Sequence, residues 1–260
     1  MAPYTVEVNG QVITSLLDNE NNPISKKNLF VYDNNDKIVN IKNSKFYLPN
    51  FDIDLIQGGL SRSTYYFEQD FLEKLDNYLK EDSIIIDIGA NIGNHTLYWA
   101  NERRAKKIYA FEPIPHTFGI LKKNIEINQL EDRVILNNVG LSDQKGMGEV
   151  KTFCKQNLGG TRLKKLQSDT PYTIPLRTLD SFNIKEDTID LIKIDVEGMD
   201  NEVLLGASKT IRKYKPIIMI ESFPDSFEKS DALLKDFGYT KEQDFGSFEY
   251  LYINKTADRK

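Results

Sequence analysis

The feature that most constrains the fold is Ile84–Ile88, a run of four isoleucines and one aspartate that leads directly into a turn containing two glycines. A continuous β-branched run of this kind is typical of a strand that is buried on both faces of a parallel sheet. The turn, residues 87–93, reads DIGANIG, and a helical pattern from residue 94 to about 103 follows it. Strand, turn and helix in this order predict the start of a βαβ unit.

Strand-like and helical segments alternate over most of the remaining chain. Further strands are predicted at residues 107–111, 134–141, 190–196 and 216–220, helices around 66–79, 118–125, 203–211 and 227–237, and a final β-pair near residues 239 and 248–254. This order predicts an α/β fold with a doubly wound, Rossmann-like sheet and right-handed crossovers. We expect the sheet to be mostly parallel, with an antiparallel terminal strand.

Two regions depart from this alternation. Residues 1–62 are rich in Asn, with short apolar runs at 4–8, 29–32 and 45–48 between turn-forming residues, and they predict a small β-rich extension to a domain of residues 63–260. Residues 149–177 are predicted as an insertion of two short strands and a loop. Because open sheets bind ligands beyond the carboxyl ends of their strands, we expect this insertion to be a lid over an acceptor site.

The bulk composition excludes several classes of protein. A net charge of −5 argues against binding to a phosphate backbone, so no nucleic-acid partner is expected. One cysteine, Cys154, and two histidines do not make a transition-metal site, and no metal is predicted. No secretory signal or membrane-spanning stretch is visible, which favours a cytoplasmic enzyme. The oligomeric state, a homodimer included, stays open.

The turn after the first sheet strand is a candidate ligand site. Gly89 allows a sharp turn, Asn91 tolerates positive φ, and Gly93 allows close packing of the following helix. The order D-x-G-x-x-x-G differs from the G-x-G-x-x-G of dinucleotide sites. The acid at its start, Asp87, would repel a pyrophosphate but suits the ammonium of an amino-acid ligand. The alternative is a turn with a purely structural role.

Glu112 ends the second sheet strand, in the sequence FEP. A carboxylate at this position is placed to accept hydrogen bonds from both hydroxyls of a ribose. The alternative is a solvated acid at a strand end. An ammonium-binding turn and a ribose-binding acid together predict S-adenosylmethionine as the cofactor.

A second acidic pair follows the strand that should neighbour the first. Asp195 and Glu197 lie two residues apart in KIDVEG, so on an extended backbone they share a face. Carboxylates there can accept a hydroxyl proton, orient an acceptor, or bind a cation or hard metal directly. The alternative is a cluster that caps the next helix. His95, at the start of the helix after the glycine turn, is either a further candidate base or a residue that caps or packs the helix.

The chain resembles the FkbM family of S-adenosylmethionine-dependent methyltransferases between about residues 66 and 221. Five segments carry the likeness: IDIGANIGN at 86–94, FEP at 111–113, VGLSD at 139–143, RTLD at 177–180 and IKIDVEG at 192–198. The resemblance implies methylation of oxygen, often on sugars of bacterial surface polysaccharides, on glycolipids or on secondary metabolites.

The resemblance also implies roles by position. The turn would border the methionine part of the cofactor, Glu112 the ribose, and Ser142 with Asp143 the adenine, while Asp195 and Glu197 would face the reaction centre. The predicted catalytic residues are Asp195, Glu197 and His95. The predicted cofactor-binding residues are Glu68, Asp87, Gly89, Ala90, Asn91, Gly93, Asn94, Glu112, Pro113, Ser142, Asp143 and Asp195.

Several alternatives remain open from sequence. Tyr65, Tyr66 and Glu68 are expected either to fold over the cofactor or to begin an amphipathic helix. Arg162 and Arg177 are candidates to bind an anionic acceptor, or are ordinary surface residues. An amine or phosphate-derived acceptor, an NAD(P)-dependent oxidoreductase and a non-catalytic scaffold are the rival functions.

Overall fold

The computed structural model of the protein describes residues 5–8, 11–14, 37–152, 157, 160–165 and 174–257. The predicted strand at residues 29–32 and Cys154 lie outside these ranges. None of the helices in the described part of the chain has the length and apolar character required to cross a bilayer.

The strands and helices alternate along the chain as the sequence predicts. The strands are Thr5–Val8 (β1), Gln11–Thr14 (β2), Ile38–Ile41 (β3), Ser44–Tyr47 (β4), Ile84–Ile88 (β5), Lys107–Phe111 (β6), Val134–Asn137 (β7), Gly140–Leu141 (β8), Gly146–Thr152 (β9), Arg162–Lys165 (β10), Ile174–Arg177 (β11), Leu191–Ile194 (β12), Ile217–Glu221 (β13), Tyr239–Gly246 (β14) and Glu249–Asn254 (β15). The α-helices are Leu55–Leu60 (α1), Gln69–Leu75 (α2), Asn94–Asn101 (α3), Pro115–Ile127 (α4), Asp200–Gly206 (α5), Ser208–Tyr214 (α6) and Pro224–Asp236 (α7).

Seven strands form the central sheet, in the order β14-β15-β13-β12-β5-β6-β7. The five strands from β13 to β7 are parallel, and β15, the last strand of the chain, is antiparallel to its neighbours. The predicted α/β class and the antiparallel terminal strand are therefore confirmed. The chain proceeds outward from β5 through β6 to β7 and returns to β12 on the other side of β5, which makes the gap between β5 and β12 the switch point of the sheet.

Hydrophobic cores cover both faces of the sheet. Because successive side chains of a strand point to opposite faces, Ile85 packs into one core and Ile86 into the other. The first core includes Trp99 of α3 and Leu121 of α4. The second includes Leu204 of α5 and residues of α6 and α7. Helices therefore lie on both sides, as expected for a doubly wound sheet.

Two predicted elements are divided in the structure. The expected strand at 134–141 breaks at Asn138, whose side-chain amide donates to the backbone carbonyls of Glu112 and Pro113 at 2.8 and 3.2 Å. The chain leaves the central sheet there, and β8 joins a second sheet. The expected helix at 203–211 is two short helices, because Ala207 has a non-helical φ of −107° and ψ of 3° between them.

The second sheet belongs mainly to the predicted insertion. Its order is β10-β9-β11-β8, with β9 antiparallel to both of its neighbours and β8 parallel to β11. Among its described residues, the insertion contains β10, β11 and the end of β9, whereas the sequence predicted two short strands. Through β8 it is continuous with the chain that leaves the central sheet after β7.

The β3–β4 hairpin and helix α1 lie against the main domain. Phe46 of β4 and Leu60 of α1 are almost fully buried in the first core. Two asparagines, one in α4 and one directly after it, hold the hairpin backbone. Asn124 Oδ1 accepts from the N–H of Tyr47 at 2.6 Å, and Asn128 Oδ1 accepts from the N–H of Lys45 at 2.8 Å. This part of residues 1–62 therefore shares its core with the sheet.

Truncation of Phe46 tests whether the hairpin stabilises the domain. Because Phe46 is fully buried and its ring centroid lies 5.7 Å from that of Tyr66, we expect Phe46→Ala to lower the free energy of unfolding by about 3–5 kcal/mol. Ile38 on the same hairpin is 53% exposed, so Ile38→Ala should cost no more than about 0.5 kcal/mol. Urea denaturation of the two variants measures the difference, and equal losses would contradict the shared core.

Candidate active site

A cleft opens at the carboxyl ends of β5, β6, β12 and β13. Its walls are the glycine turn, the residues that follow β6, the acidic residues after β12 and β13, and part of the insertion. The position is the one expected for a ligand site, because it lies at the switch point of the sheet. The predicted residues that line it are Glu68, Gly89, Ala90, Asn91, Asn94, His95, Glu112, Pro113, Asp195 and Glu197.

The glycine turn passes close to the end of β12. Gly89 has a φ of +78°, and a Cβ built on it would lie 1.7 Å from the backbone oxygen of Asp195, so only glycine fits. Asn91 adopts a φ of +51°, as predicted from its tolerance of this conformation. The N–H groups of Gly89 and Ala90 donate to the carbonyl of Phe111 at 3.0 Å. The turn is therefore fixed to both neighbouring strands.

Gly93 has a packing role at the start of helix α3. Its φ is +92°, and a Cβ there would lie 2.7 Å from Leu121 Cδ1. The sequence predicts that Gly93 lets α3 pack close to the sheet, whereas the contact that leaves no room for a Cβ is with Leu121 of α4. The Gly93 N–H donates to the Ala90 carbonyl at 2.9 Å, so this particular group is not available to a ligand.

Glu112 is a buried carboxylate in the wall of the cleft. Its two oxygens accept from the backbone N–H of Asn91 at 3.0 Å and of Ile114 at 2.8 Å. Burial raises the pKa of Glu112 to about 7, although the two N–H donors lower it. Each carboxylate oxygen has a second lone pair, so both can still accept a hydrogen bond from a ligand hydroxyl.

Asp87 is fully buried beneath the cleft. One of its oxygens accepts from the Thr96 hydroxyl at 2.6 Å, and the other lies 3.4 Å from Lys193 Nζ. The predicted direct contact with a ligand ammonium is not supported by this placement, because the carboxylate charge is already balanced by Lys193. Asp87 instead supports the turn from below.

Lys193 is the centre of an ionic network that the sequence analysis did not identify. Its Nζ donates to the carbonyl of Gly89 at 2.7 Å and lies 3.1 Å from Asp195 Oδ2. Burial opposes its charge, but the carboxylates of Asp195 and Asp87 outweigh this effect and raise the pKa of Lys193. A lysine within the apolar strand that was predicted to neighbour the first sheet strand was the sequence signal for this role.

Three carboxyl groups meet at the other end of the cleft. Single oxygens of Asp195, Glu197 and Glu221 lie within 4.8 Å of one another, a set of donors that hard cations prefer. Glu221 donates a hydrogen bond to Asp195, and burial raises its pKa. Glu221 was also missed from sequence, although it ends β13 as Glu112 ends β6.

Asp195 and Glu197 differ in their surroundings. Burial alone would raise the pKa of Asp195, but Lys193 and the hydrogen bond from Glu221 lower it. Burial and the neighbouring charge of Asp195 raise the pKa of Glu197 to about 7. The cation described nearest to Glu197 is Arg162 of β10, at 3.8 Å and partly exposed. Asp195 is therefore held as an anion, whereas Glu197 is able to exchange a proton near neutral pH.

Helix α3 attaches the segment before α2 to the cleft. The Asn94 side chain accepts from the N–H of Phe67 at 3.0 Å and donates to its carbonyl at 2.9 Å. His95 Nε2 lies 3.2 Å from Glu68 Oε2, and Glu68 begins α2 with a φ of +59°. The two predicted residues of α3 therefore hold Glu68 at the edge of the cleft. The His95 ring also packs near Trp99, with 5.7 Å between centroids.

Three further predicted residues lie outside the lining of the cleft. Ser142 is fully buried next to α5. A Cβ built on Gly206 of that helix would lie 1.9 Å from the backbone carbonyl oxygen of Ser142. The cleft is lined by the preceding residues, 139–141, and not by Ser142 or Asp143. The lining of the cleft therefore does not support the predicted contact of Ser142 and Asp143 with adenine. Arg177 lies 4.4 Å over the Phe182 ring, outside the cleft lining.

The two tyrosines before α2 do not line the cleft. Tyr66 is buried, and its hydroxyl contacts Ser44 at 2.7 Å and Glu102 at 2.9 Å. Tyr65 is 60% exposed, with Lys42 Nζ 5.8 Å from its ring centroid. The alternative in which these tyrosines cover the cofactor is not supported by these contacts.

Comparison with known proteins identifies the family. A model of the methyltransferase FkbM domain matches residues 87–241, more than half of the chain. Methyltransferase 1 of Beauveria bassiana is 29% identical over a match of 150 residues. The match covers 48% of this chain and 59% of that protein.

Two more relatives are named for sugar or O-methyl transfer. The hexuronic acid methyltransferase AglP of Haloferax volcanii is 28% identical, over 58% of this chain and 61% of that protein. The 2-O-methyltransferase NoeI of Sinorhizobium fredii is 27% identical, over 57% of this chain and 67% of that protein. The chain thus spans 59% to 67% of the length of these three relatives. The match over residues 87–241 includes the glycine turn and the acidic cluster, and the chain belongs to the FkbM family of S-adenosylmethionine-dependent methyltransferases.

Proposed function

We propose that this chain transfers a methyl group from S-adenosylmethionine to a hydroxyl of a sugar, a glycoconjugate or a related small molecule. The observation that carries the proposal is the meeting, in one cleft, of the family's glycine turn and Glu112 with the carboxyl cluster of Asp195, Glu197 and Glu221. The first half of the cleft, with the glycine turn and Glu112, suits a cofactor that contains a ribose and an amino acid. The second half of the cleft, with the three carboxyl groups, suits an acceptor that must lose a proton.

The residues of the first half fit the cofactor. Asn91 Oδ1 is buried without a hydrogen-bond partner and is an acceptor for the ammonium of the methionine part. Glu112 would accept from the ribose hydroxyls, and the apolar residues Phe111, Val139 and Leu141 would border the adenine. When bound, the cofactor supplies a methyl group that is activated by a positively charged sulfur.

Glu197 is the best candidate for the base among the predicted residues. Asp195 is engaged by Lys193 and Glu221, and this stabilises its anion and weakens it as a base. Glu197 lies beside it with a pKa near the operating pH, the condition for efficient proton transfer. His95 is paired with Glu68 at the edge of the cleft. In this assignment Asp195 orients the acceptor and Glu197 takes its proton.

The main contribution of the protein is to position the two substrates, since the donor is already activated. The insertion would cover the acceptor as a lid, because its described residues Asn157, Thr161 and Leu163 line the cleft. A sugar acceptor is in line with the name of the relative AglP, and transfer to oxygen is in line with the name of NoeI. An amine or phosphate-derived acceptor is the alternative, and the family match disfavours an NAD(P)-dependent oxidoreductase.

The cofactor site is tested by Glu112→Gln. We expect the affinity for S-adenosylhomocysteine to fall about 10- to 100-fold, because hydrogen bonds to a buried carboxylate are lost. Isothermal titration calorimetry measures the change, and Glu126→Gln, on the exposed side of α4, should bind as the unaltered protein does. Unchanged affinity of Glu112→Gln, or binding of nicotinamide nucleotides in its place, would contradict the assignment.

The base is tested by the pH dependence of turnover. Since Glu197 must be ionised and its pKa is about 7, kcat at saturating substrates should rise as pH increases from 6 to 8 and then level off. Glu197→Gln should lower kcat at least about 100-fold and remove the rise. Glu149→Gln removes a carboxylate of the insertion that pairs with Lys164 at 2.8 Å, and its profile should be unaltered. A normal pH profile in Glu197→Gln would exclude Glu197 as the base.

A further inference from the structure

Two side chains of the insertion present unpartnered oxygens to the cleft. Within the described part of the chain, Asn157 Oδ1 and Thr161 Oγ1 are buried and have no hydrogen-bond partner, and both residues line the cleft. Glu221 Oε2, on the opposite wall, shares this property. Buried polar atoms in native proteins are nearly always paired, so these three require an explanation, as does Asn91 Oδ1 at the glycine turn of the same cleft.

These oxygens lie next to the proposed reaction centre. A Cβ built on Gly160 would lie 3.2 Å from Asn157 Nδ2 and 3.7 Å from Glu197 Oε1, so the amide and the carboxylate flank the same glycine. Glu221 also donates to Asp195. The three unpartnered atoms are therefore placed where an acceptor bound beside Glu197 would contact them.

We propose that Asn157, Thr161 and Glu221 form an acceptor subsite that takes an uncharged, polyhydroxylated ring and discriminates against an anionic sugar. This inference rests on the proposed function, since it concerns the second substrate of the same cleft. It assigns specificity to insertion residues and to Glu221, none of which the motifs of the chain identify.

The chemistry of the three atoms favours a ligand that donates hydrogen bonds. An amide oxygen and a carboxyl oxygen accept hydrogen bonds, and a threonine hydroxyl both donates and accepts. A ring with several hydroxyls supplies several donors at once. The carboxylate of a uronic acid or a phosphate supplies none, and it would lie beside the anionic Asp195 and near Glu197.

The described cations near the subsite are already engaged. Arg162 lies 3.8 Å from Glu197 Oε2 and 5.0 Å over the ring of Phe223. Lys193 is buried among Asp87, Asp195 and the Gly89 carbonyl. An anionic acceptor would therefore have to displace an existing ion pair, whereas a neutral acceptor would leave both pairs intact.

The experiment compares matched neutral and anionic sugars. Methyl glycosides of glucose, galactose and mannose, and the corresponding methyl uronosides, are titrated into the full chain saturated with S-adenosylhomocysteine, with saturation-transfer NMR as the readout. We expect at least one neutral glycoside to bind, and to bind about tenfold or more tightly than its uronoside, since the latter lacks a donor and meets like charge. Tighter binding of the uronosides, or binding of none of the glycosides, would overturn the proposal.

Two conservative variants test the residues themselves. Thr161→Val and Asn157→Leu should each weaken binding of the neutral glycoside about tenfold, while the affinity for S-adenosylhomocysteine stays unchanged. Because each replaces an unpartnered buried oxygen with an apolar group, their melting temperatures without sugar should be equal to or above that of the unaltered protein. Thr240→Val, the same change on an exposed residue of β14, is the control.

The outcomes separate the two proposals. If S-adenosylhomocysteine does not bind, the proposed function fails. If it binds but Thr161→Val and Asn157→Leu bind neutral glycosides as tightly as the unaltered protein, the acceptor subsite is wrong while the methyltransferase assignment stands. A fall in melting temperature in both variants would show a structural role and would also overturn the subsite.

Discussion

The buried ammonium of Lys193 is the interaction on which the site depends. It lies between the carboxylates of Asp87 and Asp195 and donates to the carbonyl of Gly89. Without it, Asp87 would be a fully buried and unbalanced charge, a state that is strongly unfavourable in a protein interior. One side chain thus joins the end of β5, the glycine turn and the end of β12, and it stabilises the ionised form of Asp195.

The two halves of the cleft follow from the topology of the sheet. Parallel strands place their carboxyl ends at one edge, and the switch between β5 and β12 opens a gap there. On one side of the gap, backbone N–H groups of the turn and of Ile114 fix Glu112. On the other side, carboxyl groups from β12 and β13 meet. The insertion adds Asn157, Thr161 and Leu163 to the wall of the cleft, and the first two belong to the proposed acceptor subsite.

Two short segments are attached to the domain by asparagine side chains, one at the start of α3 and one directly after α4. Amide side chains are able to donate and accept at once, so Asn94 and Asn128 each bind a backbone N–H and a backbone carbonyl of a neighbouring segment. Such pairs attach short segments that have few hydrogen bonds of their own. The β3–β4 hairpin and the segment before α2 are held in this way, and the second of these carries Glu68 to the cleft.

Much of the fold and half of the site could be predicted from sequence, because they rest on local patterns. Periodicity identified β5, β6, β12 and β13, and the chemistry of the turn and of strand ends identified Glu112 and Asp195. Errors arose where tertiary contacts override the local pattern. Asn138 ends β7 because its side chain binds backbone near Glu112, and Ser142 is covered by a helix that approaches closely at Gly206.

By itself, the sequence determined the fold class and the place of the glycine turn, since strand, turn and helix signals are read over a few neighbouring residues. Its motifs carried the resemblance to the family. Only the tertiary structure decided which groups meet. The register of β5 and β12 places Lys193 opposite Asp87. The Lys193 ammonium also reaches the carbonyl of Gly89, which is 104 residues away along the chain. Glu221 reaches Asp195 from a third strand. Charge balance and proton sharing depend on distances of a few ångströms, and these distances are set by packing across the sheet.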